Sequence, residues 1–584
     1  MHSLPDHPGP RGHMRIKTTI RISIAGLALL MAMGIPLRAQ NGAAADHFLN
    51  LLRPPDAVTV VMESGTAKAV RDGDSWTGAD AEVTTAVRPD GLHIELSAPK
   101  AGARYIILRW NGSLPSNWKY LGDAWERSYG ELEWGALDAN REMPWYFLAS
   151  DDRMTHGYGV KTGSAAMCGW KADTGGVTLT ADVRCGGLGV RLGGRRLAVC
   201  VVTTRRGRAG ETPFQAGRAF CGQMSPAPRL LKQPVYGFND WYCDYGKNSA
   251  ESVAYYAAFV ARLSPAIANR PFMVVDDGWQ AVGGGTGYGG PWDRGGPKFP
   301  SMLGLAVAIR KAGARPGIWI HLLTAQADQP ADWHLPHKPK ILDISRPEVR
   351  AYIKATVARL RAWGYELIKH DYSGDDVASY GHAAPADDAR WAFADRGRTT
   401  AEIVLDHYRS IREAAGEDTL LLGCNTIGHL AAGVFEIERI GDDTSGKDWN
   451  RVRNRGVNTL AYRAIQHGAF FAVDADCVGL TEAEAIPWAL NRQWLDLVAR
   501  SGTPLFISLK KGAITPDQEK VVAEALTAAS RPQPLGEPLD WFEAVNPTRG
   551  ADPLKHLEGG AAPRRWKLGG KIVEYDWAAA QSGR

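Results

Sequence analysis

No CxxC spacing occurs among the seven cysteines (Cys168, Cys185, Cys200, Cys221, Cys243, Cys424 and Cys477), which argues against a structural zinc ribbon. Their odd number leaves at least one thiol free; Cys185 and Cys200 flank a hairpin-like stretch, GGLGVRLGGRR, and are the pair that spacing offers. No strand-like run passes through a GxGxxG directly into a helix, so the fingerprint of an open dinucleotide-binding sheet is missing. No HxH closes a strand and the fifteen histidines are scattered, so no metal site and no organic cofactor are expected. Basic residues form no concentrated run, and a net charge of +5 over 584 residues gives no reason to expect a nucleic-acid partner. Beyond the N-terminus no apolar run is long enough to cross a bilayer.

The N-terminus itself has a clear layout. From Met14, the basic residues Arg15, Lys17 and Arg21 precede an apolar run over residues 22–36, and small residues follow around Ala39. This is the order of a secretory signal, too short for a comfortable membrane span. Residues 1–40 are therefore expected to be a signal peptide starting at Met14, with a soluble periplasmic or secreted mature protein that does not engage the membrane after signal removal.

Residues 45–225 read as an antiparallel β-sandwich: AVTVVM, LHIELSA, RYIILRW, VTLTADV and LAVCVVTT alternate apolar and polar positions between turn residues. Inside it, LGDAWERSYGELEW gathers Trp125, Arg127 and Trp134 with acids in a loop. That loop is either a packed aromatic corner or a flap that offers Trp125 to a sugar ring. After the Pro-rich stretch 224–234 the rhythm becomes strand, loop, helix. Strand candidates fall at 236–242, 272–279, 315–322, 365–373, 420–425, 437–443, 470–477 and 504–510. Eight strands alternating with helices predict an α/β fold, a (β/α)8 TIM barrel over 235–530, with the fifth connection too short for a full helix. Residues 531–584 carry a hairpin-like RRWKLGGKIVEYDW and are expected to form a short C-terminal β element.

The acids stand at the strand ends. Asp276 and Asp277 close the second strand, Asp371 the fourth, Asp442 and Asp443 the sixth, and Asp474 and Asp476 the seventh. In a barrel those ends converge, and Trp241, Trp279 and Trp319 are expected to line the same pocket. Lys369 and Asp371, two apart on one strand, face one side, so the ammonium can keep the carboxylate ionised and nucleophilic. Acids with tryptophan suit a neutral polyhydroxylated ligand, and two carboxyls across a glycosidic bond are what glycoside hydrolysis needs.

VDDGW, IKHDY and RIGDDT resemble the strand-end motifs of the retaining α-galactosidases of glycoside hydrolase clan D, families 36 and 27. LDISRPEVRAYI, GIWIHL, SGTPLFIS and the WERSYG segment are similar to family 36, so the resemblance spans roughly residues 110–508. It implies an exo-acting retaining hydrolase that releases terminal α-linked galactose-type sugars from an oligosaccharide or glycoconjugate. Asp371 would be the nucleophile and Asp443, rather than its neighbour Asp442, the acid/base, its pKa raised by less polar surroundings. Lys369 and Arg439 would bind ring hydroxyls, and Asp276 and Asp277 the 4- and 6-hydroxyls. Two departures stand out: GCNTIGH, with Cys424, Asn425 and Thr426, replaces the family's glycine-rich run beside the sugar 2-substituent, and Leu509 follows SGTPLFIS. N-acetylgalactosamine or β-L-arabinopyranose specificity, or a silent carbohydrate-binding barrel, are the alternatives.

Overall fold

A computed structural model describes residues 47–286, 288–374, 390–482, 485–543 and 562–578. The expected signal peptide lies outside them. No described helix is long and apolar enough to cross a membrane.

Two antiparallel sheets occupy residues 57–205, one of six strands and one of nine. Period-two patterning builds them: Val58, Val60 and Met62 on one strand, and Ile106, Leu108 and Trp110 on its partner Ala103–Asn111, point into a shared core. Helix Pro213–Met224 follows, started by a capping box between Thr212 and Gln215, and buries Phe214, Phe220 and Met224. The hairpin expected between Cys185 and Cys200 is not formed: Gly176–Asp182 ends and Arg196–Arg205 begins with only isolated bridges, such as Cys185 to Leu188, between them. All seven cysteines are unpaired thiols, and Cys185 donates to the Asp395 carbonyl at 3.4 Å instead of approaching Cys200.

The second half holds a curled parallel sheet of nine strands. In spatial order they are Ala472–Asp474, Ile437–Arg439, Leu420–Gly423, Leu367–His370, Arg315–Ile320, Phe272–Val275, Tyr236–Asn239, Leu505–Leu509 and Val478–Leu480. Its two edge strands are consecutive in the chain, separated by Ala475, Asp476 and Cys477, with Asp476 in the left-handed region at φ 75°. The expected seventh strand, 470–477, forms only at Ala472–Asp474, which pairs with Ile437–Arg439; the chain then breaks and re-enters the sheet as Val478–Leu480, which pairs with Leu505–Leu509. Strands buried on both faces read as near-continuous apolar runs, as FMVV and LLLG do.

Helices lie between the strands: Ala250–Leu263, Met302–Lys311, Pro347–Ala362, Thr400–Ala415, Trp488–Arg500 and Pro516–Ala529. Pro347–Ala362 buries Val349, Ile353, Val357 and Leu360 at the expected helical spacing. The fifth connection holds only the four-residue helix Gly428–Ala431. The strands are shorter than the apolar runs suggested, because the residues after them turn into the loops that carry the polar groups. Trp241 accordingly sits in the short helix Trp241–Asp244 and not on a strand. A three-stranded antiparallel sheet, Glu537–Pro538, Arg565–Leu568 and Lys571–Glu574, contains the expected C-terminal hairpin.

The antiparallel half joins the parallel sheet at one point that matters for the site. Ser128 forms a parallel bridge with Gly441: its N–H donates to Ile440 O at 2.8 Å and its carbonyl accepts from Asp442 N at 2.9 Å. The buried Arg463 guanidinium clamps both sides, donating to Ile440 O (3.0 Å) and to the carbonyls of Ala124 (3.2 Å) and Glu126 (2.7 Å).

Candidate active site

Asp371 follows the fourth strand, Leu367–His370, and its carboxylate is held from three directions. The indole Nε1 of Trp319 donates to Oδ2 at 3.0 Å; Asn425 Nδ2 and the N–H of Tyr372 donate to Oδ1 at 2.6 and 2.9 Å. Burial acts to raise its pKa, but the Lys369 ammonium, the Trp319 N–H, the Arg127 guanidinium and the Asn425 amide outweigh it and hold the carboxyl below the usual range. Lys369 does this through space, as its Nζ bonds Asp276 Oδ2 at 2.8 Å.

Asp276 is built into the floor. Its Oδ2 also accepts from Asn239 Nδ2 at 2.7 Å, and its N–H donates to Asp240 Oδ1 at 2.7 Å. Asp240 is buried, and burial together with the Asp276 charge pushes its carboxyl well up. Asp277 accepts from Gln280 Nε2 at 2.6 Å.

Asp443 and Asp442, after the sixth strand, have separate fates. Asp442 is enclosed by arginines: Arg127 Nη2 at 2.9 Å, Arg451 Nη2 at 3.6 Å, and Arg455. Asp443 turns into the pocket with 36% of its side chain exposed, bonded to Arg439 Nη2 at 2.9 Å and facing Arg127 Nη1 at 3.7 Å. Burial acts to raise its pKa, but Arg439, Arg127, Lys369 and Arg451 bring it down to about 2. The expectation of a raised pKa at Asp443 is therefore overturned: the surroundings are less hydrated but strongly cationic.

These groups line one pocket of about 270 Å3. Asp276, Asp277, Asp371 and Asp443 supply its carboxylates, and Lys369 and Arg127 its cations. Trp241, Trp319, Cys424 and Asn425 complete the expected wall. The Cys424 thiol is buried, and burial with the nearby Asp371 charge pushes its pKa well up, so it packs as a neutral group.

Three expected members lie elsewhere. Trp125 is 4% exposed, edge-on to Trp145 at 5.3 Å, so the packed corner is what forms. Trp279 is buried behind the wall and donates from Nε1 to Trp319 O at 2.8 Å. Arg439, 3% exposed, lies beneath the pocket between Asp443 and Asp476, to whose Oδ2 it is 2.7 Å. Asp474 and Asp476 share that lower layer and do not reach the pocket wall. Asp476 there accepts from Thr444 N at 2.7 Å and Thr444 Oγ1 at 2.9 Å.

The pocket also contains residues that sequence reasoning did not assign to it: Arg127, Tyr372, Gly285 and Thr286. Arg127 was visible only as a cation beside Trp125 in an acidic loop. Tyr372 adopts φ 59°, which swings its ring against His321 at 4.7 Å. Gly285 and Thr286 belong to the run GGGTGYGG, whose signal was its glycine content. At Gly246, φ 74°, a Cβ would stand 2.3 Å from Gly285 Cα, so only glycine lets that loop close over the turn after Trp241. Among the described residues no group of three or more His, Cys, Asp or Glu side chains could hold a metal ion.

No protein-family model matches the chain. Its fold is that of α-galactosidases, glycoside hydrolase family 36 enzymes among them. It is similar to the α-galactosidase of Thermus thermophilus solved with p-nitrophenyl α-D-galactopyranoside, with 17% identity and a TM-score of 0.54 over 89% of this chain and 99% of that one. It is also similar to a family 36 α-galactosidase of Geobacillus stearothermophilus solved with stachyose, with 16% identity and a TM-score of 0.54 over 80% of this chain and 74% of that one.

Proposed function

We propose that this chain is a retaining, exo-acting glycoside hydrolase that releases terminal α-linked galactose-type residues, and that its parallel sheet is a (β/α)8 barrel with a broken seventh strand. One observation carries the reading: Asp371 and Asp443, from different strand ends, line a single pocket of about 270 Å3, a space suited to one pyranose. The fold likeness to α-galactosidases supports it, and those neighbours hold α-galactosides in their structures.

Asp371 is the nucleophile. Its pKa is held down, and the hydrogen bonds to both oxygens keep it oriented while it attacks the anomeric carbon and forms a glycosyl-enzyme. Asp443 protonates the departing glycosidic oxygen and then, as a carboxylate, takes a proton from the attacking water. The free pocket holds Asp443 in the ionised form, which suits the second step. For the first step it must gain a proton, which a sugar ring promotes by displacing water around a carboxylate that is already partly enclosed. Aryl galactosides, whose leaving groups need little protonation, are therefore expected to be the fastest substrates. Asp276 and Asp277 bind hydroxyls on the far side of the ring, and Trp319 and Trp241 cover its apolar face. Export to the periplasm or medium belongs to the same proposal, motivated by the leader-like layout from Met14.

The test uses the wild-type protein with Asp371→Ala and Asp443→Ala on aryl α-galactoside, α-N-acetylgalactosaminide and β-L-arabinopyranoside. Asp371→Ala should abolish turnover, and Asp443→Ala should lower it on the order of 10²–10⁴-fold, with the aryl leaving group, which needs little protonation, placing the loss at the low end. Full rates in both variants would refute the assignment. Galactose binding without turnover would favour a silent carbohydrate-binding barrel.

A further inference from the structure

We propose that Arg127, a residue of the sandwich, is a positioning residue of the catalytic site: it stands between Asp442 and Asp443 and turns Asp443 toward Asp371. The inference rests on the hydrolase reading above and adds to it a group from outside the parallel sheet.

The geometry comes first. Arg127 has 13% of its side chain exposed, and that exposure is to the pocket. Its Nη2 holds Asp442 at 2.9 Å and its Nη1 faces Asp443 at 3.7 Å, so one planar fork spans both adjacent acids. The stem is fixed from behind: Nε faces Glu126 at 3.9 Å, and the guanidinium lies 5.3 Å from the Tyr129 ring. The backbone that carries it is bridged at Ser128 to Gly441, one residue before Asp442, and clamped by Arg463. Loop and acid pair therefore move as one unit.

The charge pattern gives the fork its purpose. Four carboxylates line the pocket, and two other cations near them are shared out: Lys369 bonds Asp276, and Arg439 divides between Asp476 and Asp443. Asp442 would keep Arg455 and Arg451 if Arg127 were lost, so a truncated Arg127 leaves no bare charge there. Asp443 would keep the Arg439 bond, with Arg451 and Lys369 nearby, but lose the cation that links it to Asp442. The groups that face Asp443 are Arg439, Arg127, Arg451 and Lys369, with the hydroxyls of Tyr242, Tyr245 and Tyr372. Arg127 also lowers the Asp371 carboxyl, so it acts on both members of the pair.

The sign of the effect follows. Removing a cation makes both carboxylates harder to form, so both limbs of the pH–rate profile move to higher pH. The experiment compares wild type, Arg127→Gln and Arg127→Lys in kcat and kcat/KM against pH on an aryl α-galactoside, with melting temperatures beside them. Arg127→Gln is expected to lower kcat on the order of tenfold to a hundredfold and to displace the profile upward. Arg127→Lys, which keeps the charge but not the fork, should lower kcat while leaving the profile in place. An unchanged rate and profile in Arg127→Gln would overturn the proposal. So would a loss of rate that is uniform with pH and tracks a fall in melting temperature in both variants, the mark of a purely structural residue. A wild type without Asp443-dependent turnover would overturn the hydrolase reading and this inference together, whereas an active wild type with an indifferent Arg127 would remove the inference alone.

Discussion

Asn425 donates from Nδ2 to Asp371 Oδ1 at 2.6 Å, tying the end of the fifth strand to the carboxylate at the end of the fourth. Asn425 achieves this from a left-handed backbone, φ 52°, a conformation that asparagine tolerates better than most residues. The residue that marks this chain's departure at the fifth strand therefore supports the candidate nucleophile directly, besides lining the pocket.

Asn425→Ala removes a donor that favours the charged form of Asp371. The carboxyl pKa should rise, and the acid limb of kcat/KM should move to higher pH. Loss of a hydrogen bond to a charged group should lower kcat/KM at neutral pH on the order of tenfold. A pH–rate profile on an aryl galactoside checks both; an unmoved acid limb would refute the supporting role.

Two tryptophans that sequence treated alike should part under mutation. Trp279 is enclosed behind the pocket, so Trp279→Ala should destabilise the fold by about 3–5 kcal/mol and lower the melting temperature. Trp241 borders the pocket and is partly exposed, so Trp241→Ala should raise KM about tenfold with little change in melting temperature. Calorimetry and Michaelis kinetics on the two variants decide it; a KM effect confined to Trp279→Ala would reverse the assignment.

Glu438, next to Arg439 on the sixth strand, is buried, and its Oε1 accepts from Thr426 Oγ1 while Oε2 has no hydrogen-bond partner among the described residues. Burial pushes its carboxyl up to about 8, against the Thr426 hydroxyl and Arg463, which act to lower it. Between its ordinary value of 4.5 and about 8 the folded state keeps a proton that the unfolded state releases, so stability falls as pH rises through that window. Glu438→Gln should be neutral near pH 4 and stabilising near pH 8, on the order of 1–3 kcal/mol. Chemical denaturation at both pH values tests this; an equal effect at the two would sink it.

The legible part of the site was local. Asp276, Asp371 and Cys424 directly follow a buried parallel strand, Lys369 lies inside one, and Asp277, Asn425 and Asp443 come two to four residues after one; all of them reach the pocket. What failed was the direction taken by side chains at and just beyond the strand ends. Arg439, the last residue of its strand, stays below with Asp476. Trp279, beyond its strand, folds back behind Trp319. The direction of the Asp443 shift was not legible because it is set by Arg439 together with Arg127, Lys369 and Arg451, and Arg127 lies more than three hundred residues away in the chain.

By itself the sequence determined the order of the layers: alternating runs for the antiparallel sheets, apolar runs between amphipathic helices for the parallel sheet, and carboxylates at the strand ends. Those features follow from periodicity and burial, which act over a few residues. Tertiary structure alone decided which charges meet. The Ser128–Gly441 bridge carries Arg127 to Asp443, and the break after Asp474 turns Asp476 toward Arg439. Charge interactions depend on distances between segments remote in the chain, and no local pattern of residues encodes them.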